Sequence, residues 1–556
     1  MNTLDLVVLI GYFVGITLFG LWLSRRIKSS DSYFRGERKF KWWIMMGQAF
    51  GTGTHAEMPV AQTGASFQYG FAAIWFQWKN LLITPFYWLL GPWYRRSERT
   101  TVAEIVEDRY GKRMGLIYAI FAILFFVFSM GAMLQGAAKV ISVASNHAIS
   151  ANGVIIGMTV AFMLYSYFGG LVAAAHTEFI QAFLIIVLSF MLIPAGLEAI
   201  GGFSGMRENL PEDFFLLYSE TSGLGAFMIA MLALNGVIGI TAQPHMLAMF
   251  ATGNTERAGR IGQTYGNFVK RLVTIGWALT GLIVAVMVIK EGVELPDPEH
   301  AFGYASQKLL GPGLTGLLIA SILAANMSTC SNFMVNTGAL FSLNLYQRYI
   351  DPEAPDQQLL KMGRISGLLL ALSGVLFALS IENVLSAFLF TETIAAFMGI
   401  MIFGGMVWKR ANYPGAITAI VVAFSLYYLL NYLEAGELTL IYKWQPEPFG
   451  WAMLAGFSTL IVVSLLTRPE NSERLEAFFD NMDRLSDAEV DPQTGKKPLA
   501  RPFGQDLILL DLPSWLKKER WEGFFQRYRE DFWGFWLAWG FVAGLVLLAW
   551  GIMQLG

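Results

Sequence analysis

Apolar runs of about twenty residues recur along the whole chain, from Leu4 to Met553, and each is long enough to cross the hydrocarbon core of a bilayer once. Lipid offers no partners for peptide N–H and C=O groups, so such runs must be helices that satisfy their own backbone. The fold class expected is an all-α integral membrane protein with about fourteen transmembrane helices. These centre on residues 4–24, 43–65, 71–94, 115–144, 152–172, 177–200, 225–251, 268–289, 313–344, 362–380, 384–407, 413–432, 449–467 and 532–553. The balance of 55% hydrophobic against 14% charged residues suits no soluble core. The first run opens with an acid, Asp5, exceeds a signal-peptide core in length and ends in "SRRIK", so it is expected to stay as a helix.

Charge is informative by location. Basic residues gather in alternate connections: Arg25 and Arg26 with Arg35, Arg38 and Lys39; Arg95, Arg96 and Arg99; Arg257, Arg260, Lys270 and Arg271; Arg348, Lys361 and Arg364; Lys409 and Arg410. The intervening "SNHAISAN" and "SIEN" are nearly free of them. The positive-inside rule then puts both termini on the non-cytoplasmic side, most simply of the plasma (inner) membrane. A net charge of -2 offers no basic surface for nucleic acid, and lipid is the expected surrounding. The single cysteine, Cys330, rules out an intrachain disulfide, and no Cys/His spacing suggests a structural metal. No obligate protein partner is evident.

Two spans are interrupted. "GTGTHAEMP" (51–59) sets glycine, histidine, glutamate and proline inside the second, and "LNGVIGITAQPHMLAMF" (234–250) sets Gln243, Pro244 and His245 inside the seventh. Proline kinks used only for packing would produce one such segment. Two at corresponding places, each with polar residues, favour unwound backbone that lines a cation and solute site, as in transporters built from inverted repeats. The chain then divides into an extra helix and cytoplasmic loop (1–40), a first repeat (41–205), an inverted second repeat (206–411), peripheral helices (412–467), a cytoplasmic segment (468–530) and a last transmembrane helix (531–556). The core is a five-plus-five inverted repeat with a discontinuous first helix in each half.

Further motifs stand in order: "WWIMMG" and "THAEM", "TTVAEIVEDRYGKR", "YSYFGGLVAAAHTEFIQ", "TAQPHMLAMFA", "GLLIASILAANMSTCSNFMVNTGALFSLNLYQRY" and "FGGMVWKRANYPGAITAI". Jointly they make the chain resemble the sodium:solute symporters, which share the inverted-repeat architecture of the leucine transporter. The resemblance implies a Na+ site between the second and ninth spans, formed by the carbonyl oxygens of Gly51, Thr54 and Ala325 with the hydroxyls of Ser328 and Thr329. Such hydroxyls also bond back to the preceding turn of a membrane helix. The resemblance also marks a second cation or release site at Glu178, Ser331 and Asn332. Glu178 stands where aspartate is usual and Asn332 where a serine occurs, and Glu178 reads equally well as a solvated acid at a helix start.

Positions implied for solute contact are His55, Met58, Gln77, Asn80, Gln243 and His245; each histidine also reads as a satisfied interior imidazole. Met249 replaces an arginine common after the family's "QPH", which argues against carrying over proline or pantothenate specificity. Charges within spans are costly and therefore functional candidates: Glu57, Lys79 and Glu392. Lys79 would either attract a carboxylate or pair with Glu57 or Glu392, and pairing is preferred. The function expected is sodium-coupled symport of a small polar solute of the sugar, amino acid, carboxylate or vitamin class. A proton-coupled or uncoupled transporter and a membrane sensor of the same fold are the alternatives. No nucleophile and base in a catalytic motif point to an enzyme.

Overall fold

The computed structural model describes residues 3–24, 33–34 and 38–555, with the side chains at 20, 21, 23, 24, 161, 165, 168–175 and 178 outside that description. Arg25, Arg26, Arg35 and the side chain of Glu178 therefore lie outside the described residues. The principal helices are α1 (Thr3–Ser24), α2 (Trp42–Thr52), α3 (Glu57–Tyr69), α4 (Trp75–Arg96), α5 (Lys112–Ala144), α6 (Ala151–Phe190), α7 (Ile193–Ile200), α8 (Ala226–Ala242) and α9 (Met246–Ala251). Then come α10 (Glu256–Glu291), α11 (Leu314–Ala339), α12 (Asp356–Ala378), α13 (Val384–Val407), α14 (Tyr413–Ala435), α15 (Pro446–Leu466) and α16 (Arg529–Met553). A π-helical stretch, Leu340–Ile350, prolongs α11.

Among the described residues, nine helices are long and apolar enough to cross a membrane, against the fourteen spans expected. Three shorter apolar helices accompany them, Thr3–Phe19, Ala151–Leu164 and Ala226–Ala242. The difference has physical causes. Both broken elements are split into pieces too short to span alone, and α4 carries Lys79, Asn80, Pro85 and Pro92 within its length. The chain is an integral, multi-pass membrane protein.

The interruptions fall where glycine and proline place them. α2 ends at Thr52 and α3 begins at Glu57, with residues 53–56 out of the helix. α8 ends at Ala242, Gln243 is extended (φ -67°, ψ 121°), and α9 begins at Met246. Each broken element is seated by glycines on a continuous neighbour. A Cβ on Gly262 of α10 would lie 2.3 Å from Met45 Cβ, and one on Gly399 of α13 would lie 2.2 Å from the Ile238 carbonyl oxygen. Small residues give this close approach where water cannot drive helices together.

One expectation about charge is corrected. Lys270 and Arg271 do not lie in the connection before the eighth span; they are buried within α10. The uninterrupted apolar run starts at Leu272, but the helix begins earlier, at a Thr255 cap whose hydroxyl accepts the Ala258 N–H at 3.0 Å. α10 therefore carries both cations into the bundle.

Two polar assemblies tie the ends of the bundle. At the end bearing Arg95 and Arg96, buried Glu256 accepts from Arg96 (2.9 Å) and Arg260 (2.8 Å), and Arg260 also pairs with buried Asp531 (2.6 Å). Residues 468–530 dock on this chain: Asp487 accepts the Glu256 N–H at 2.6 Å and pairs with Arg95 at 3.2 Å. At the opposite end, Lys139 of α5 pairs with Asp297 (2.8 Å) and Glu299 (2.6 Å). Glu299 also accepts the N–H groups of Val384 and Leu385 at 3.1 and 2.9 Å, which caps α13 from outside. Removing one member of a buried ion chain leaves its partners desolvated and uncompensated. Arg260→Ala is expected to cost about 3–5 kcal/mol of stability, read as a lower thermal midpoint of the purified protein; an unchanged midpoint would contradict the role given to this chain.

Candidate functional site

The first break exposes a row of main-chain oxygens, and the hydroxyls of α11 point at them. Ser328 Oγ donates to the carbonyls of Gly51 (3.1 Å) and Ala325 (2.9 Å). Thr329 Oγ1 donates to Thr52 (3.1 Å) and Ala325 (3.4 Å). Gly51, Ala325, Ser328 and Thr329 are thus brought together, fully buried, with the Thr52 carbonyl as an additional member that the sequence expectation did not name. Thr54 lies just beyond, and its buried hydroxyl has no partner. Turning the two hydroxyl protons outward would present neutral oxygens alone. That is the donor type a hard monovalent cation prefers, and it carries no opposing charge to trap the ion.

The break is held open by two further contacts. Asn326 on α11 accepts the Ala56 N–H at 2.9 Å and donates to the Met133 carbonyl of α5 at 2.7 Å. Lys270 on α10 donates to the Gly53 carbonyl. At the second break, the Tyr94 hydroxyl donates to the Thr241 carbonyl (3.0 Å) and the Tyr118 hydroxyl to the Ala242 carbonyl (2.6 Å). Released backbone oxygens thereby find partners in a region where lipid has none to give.

Between the two breaks lies a cavity of about 70 Å³. Its wall includes His55, Glu57, Met58, Asn80, Gln243 and His245 as expected from the sequence, with Lys270, Arg271 and Glu392. Phe333 stands between the two imidazoles, 6.5 Å from the His55 ring centre and 5.5 Å from that of His245. His55 Nδ1 is bonded to the Glu57 carboxylate, while His245 Nδ1 is buried without a partner. Lys79 and Glu392 form a buried ion pair, and Lys79 also donates to the Asn235 amide oxygen at 3.3 Å. Pairing, rather than a free lysine, is thus the arrangement adopted.

Gln77 does not border the cavity. It lies about one helical turn before Asn80 on α4, buried, with both amide atoms unpartnered. Of the second cluster, the Glu178 side chain lies outside the described residues. Ser331 and Asn332 are buried on α11, the Ser331 hydroxyl and Asn332 Nδ2 lack partners, and Asn332 Oδ1 accepts from Asn336 at 2.6 Å. Among the described residues, no group of three His, Cys, Asp or Glu side chains is placed to hold a metal ion. The site residues that sequence reasoning missed are Thr52, Lys270 and Arg271. The adjacent "KR" at the edge of the apolar run "LVTIGWALTGLIVAVMVI" was the available signal for the last two.

Two interrupted helices that face each other across a cavity with polar lining residues are the arrangement of secondary transporters built from inverted repeats. Residues 33–423 match the family model of the Sodium:solute symporter family, and the chain belongs to that family. It is 22% identical over 471 residues to the sodium/glucose cotransporter of Vibrio parahaemolyticus, covering 78% of this chain and 86% of that protein. It is 26% identical over 493 residues to the high-affinity proline transporter PutP of Bacillus subtilis (strain 168), covering 84% and 99%. Among solved structures it resembles a Na+-coupled sialic acid symporter in its substrate-bound outward-open state, with a TM-score of 0.71, 18% identity, and 84% and 99% of the two chains covered. That likeness gives the same leucine-transporter-like fold.

The clamp by Asn326 yields a direct test. Asn326→Ala would orphan the buried Ala56 N–H, at a cost of about 1–3 kcal/mol. A fall in thermal midpoint is expected, together with weaker sodium-induced stabilisation than in the unaltered protein. A variant that responds to sodium as the parent does would remove Asn326 from the set of groups shaping the break.

Proposed function

We propose that the protein is a sodium-coupled secondary active symporter that imports a small polar organic solute by alternating access. The observation that carries this reading is the approach of the Ser328 and Thr329 hydroxyls to the Gly51, Thr52 and Ala325 carbonyls at 2.9–3.4 Å. Sodium, a transported substrate here, would be held by Gly51, Ala325, Ser328 and Thr329 with Thr52 or Thr54. Glu178, Ser331 and Asn332 are assigned to a second cation site or to ion release. His55, Met58, Asn80, Gln243 and His245 would surround the solute. The family's named relatives, a sodium/glucose cotransporter and a proline transporter, support the coupling and the solute type.

Residues 41–205 and 206–411 would form the two rocking repeats, flanked by 1–40 and 412–467. The plasma membrane is the proposed location, with residues 468–530 in the cytoplasm and both termini outside. The charge pattern of the connections supports this orientation. No catalytic step is assigned.

Coupling requires sodium to favour the conformer that binds solute, and linkage makes the effect mutual. α11 supplies the hydroxyls of the cation nest and also Phe333 at the cavity wall, so one helix answers to both guests. One charge falling through ~100 mV releases about 2.3 kcal/mol, and a tenfold sodium gradient adds about 1.4 kcal/mol. Together these support accumulation on the order of 500-fold.

Proton coupling is the second reading, favoured by the His55–Glu57 hydrogen bond at the cavity edge. Uptake steep in pH and indifferent to sodium would select it. For the sodium reading, Ser328→Ala with Thr329→Ala is expected to abolish sodium-dependent uptake into proteoliposomes while the protein remains monodisperse. Unaltered sodium dependence in the double variant would displace the ion site.

A further inference from the structure

We infer that the solute is a short-chain carboxylate, received by Arg271 with Lys270 beside it; this rests on the transport reading above. The starting point is the charge balance of the cavity. Glu57, Lys270, Arg271 and Glu392 line it, and Lys79 is paired with Glu392 behind the wall. Two acidic side chains, Glu57 and Glu392, stand against three basic ones, Lys79, Lys270 and Arg271, so the bases outnumber the acids by one. A bound sodium ion increases that excess.

The excess is concentrated on α10. Arg271 is 1% exposed and keeps its proton at any working pH. Its Nε reaches the Thr84 hydroxyl at 3.4 Å and its side chain meets the Tyr87 hydroxyl, yet Nη1 is buried with no partner. Neither Lys270 nor Arg271 has a carboxylate within ion-pair distance among the described residues. A desolvated guanidinium without an anion is costly in the middle of a membrane protein, and its planar fork fits a carboxylate with two parallel hydrogen bonds.

The rest of the wall narrows the class. Phe125, Phe333, Phe388 and Met58 give the same cavity an apolar side, so the guest has one anionic end and a small apolar body. A volume of about 70 Å³ holds roughly five to seven water-sized groups, the size range of acetate, propionate and lactate. A neutral sugar would leave Arg271 unpaired and press hydroxyls against phenyl rings.

Position also links this guest to the ion. Lys270 donates to the Gly53 carbonyl, and the nest carbonyls Gly51 and Thr52 are the adjoining part of the same chain. An anion held by Arg271 and reaching Lys270 would thus touch a side chain bonded to the segment that forms the nest.

The test is a thermal-shift panel on the full-length protein in detergent, with acetate, propionate, lactate, succinate, proline and glucose, each in sodium and in choline buffer. Stabilisation by the monocarboxylates in sodium buffer, without stabilisation by glucose or proline, is expected. Arg271→Gln should weaken propionate binding roughly 100-fold, with Arg271→Lys recovering part of it; size-exclusion profiles establish that both variants fold. Stabilisation by proline or glucose with none by carboxylates would overturn the assignment, and so would parental propionate affinity in Arg271→Gln. Carboxylate binding equal in sodium and choline would sustain the assignment and sink the sodium coupling proposed above. A sodium response with no carboxylate effect would do the reverse.

Discussion

Main-chain oxygens released in the middle of a membrane bundle must be satisfied by the protein itself, and the architecture is organised around that demand. At the first break the partners come from different helices: Ser328, Thr329 and Asn326 from α11, and Lys270 from α10. At the second they are the hydroxyls of Tyr94 on α4 and Tyr118 on α5. Because each break depends on its neighbours, the helices around the cavity cannot shift singly.

Much of the fold was legible in the sequence, for a physical reason. A membrane helix tolerates polar, Gly- and Pro-rich interruptions only where protein covers them, so "GTGTHAEMP" and "ITAQPHM" marked interior positions as clearly as the apolar runs marked the spans. The "ST" pair at 328–329 was readable through its family resemblance, and the hydroxyls do face the first break. Lys270 and Arg271 were misplaced because hydropathy registers a span only once the apolar run begins. The helix had already formed on polar residues covered by protein. Gln77 shows a complementary limit: a helical neighbour of a cavity residue can point one turn above the space. Thr52 was hidden because it joins the cluster through its carbonyl, which leaves no mark in side-chain identity.

Charge in the interior is not scattered. Lys79 and Glu392 cancel each other, Glu57 is engaged by His55, and the chain Arg96, Glu256, Arg260 and Asp531 alternates in sign at one end. Against this background Lys270 and Arg271 differ among the described residues that line the cavity, since neither has a carboxylate within ion-pair distance.

Glu299 serves two masters: it neutralises Lys139 and supplies the first peptide donors of α13 with an acceptor. Displacing the turn that carries Glu299 would strip α13 of its cap and Lys139 of one of its two carboxylates in a single event. Because the pair is almost wholly covered by protein, this fastening is shielded from the salt of the bathing solution far more than an ion pair on the surface would be.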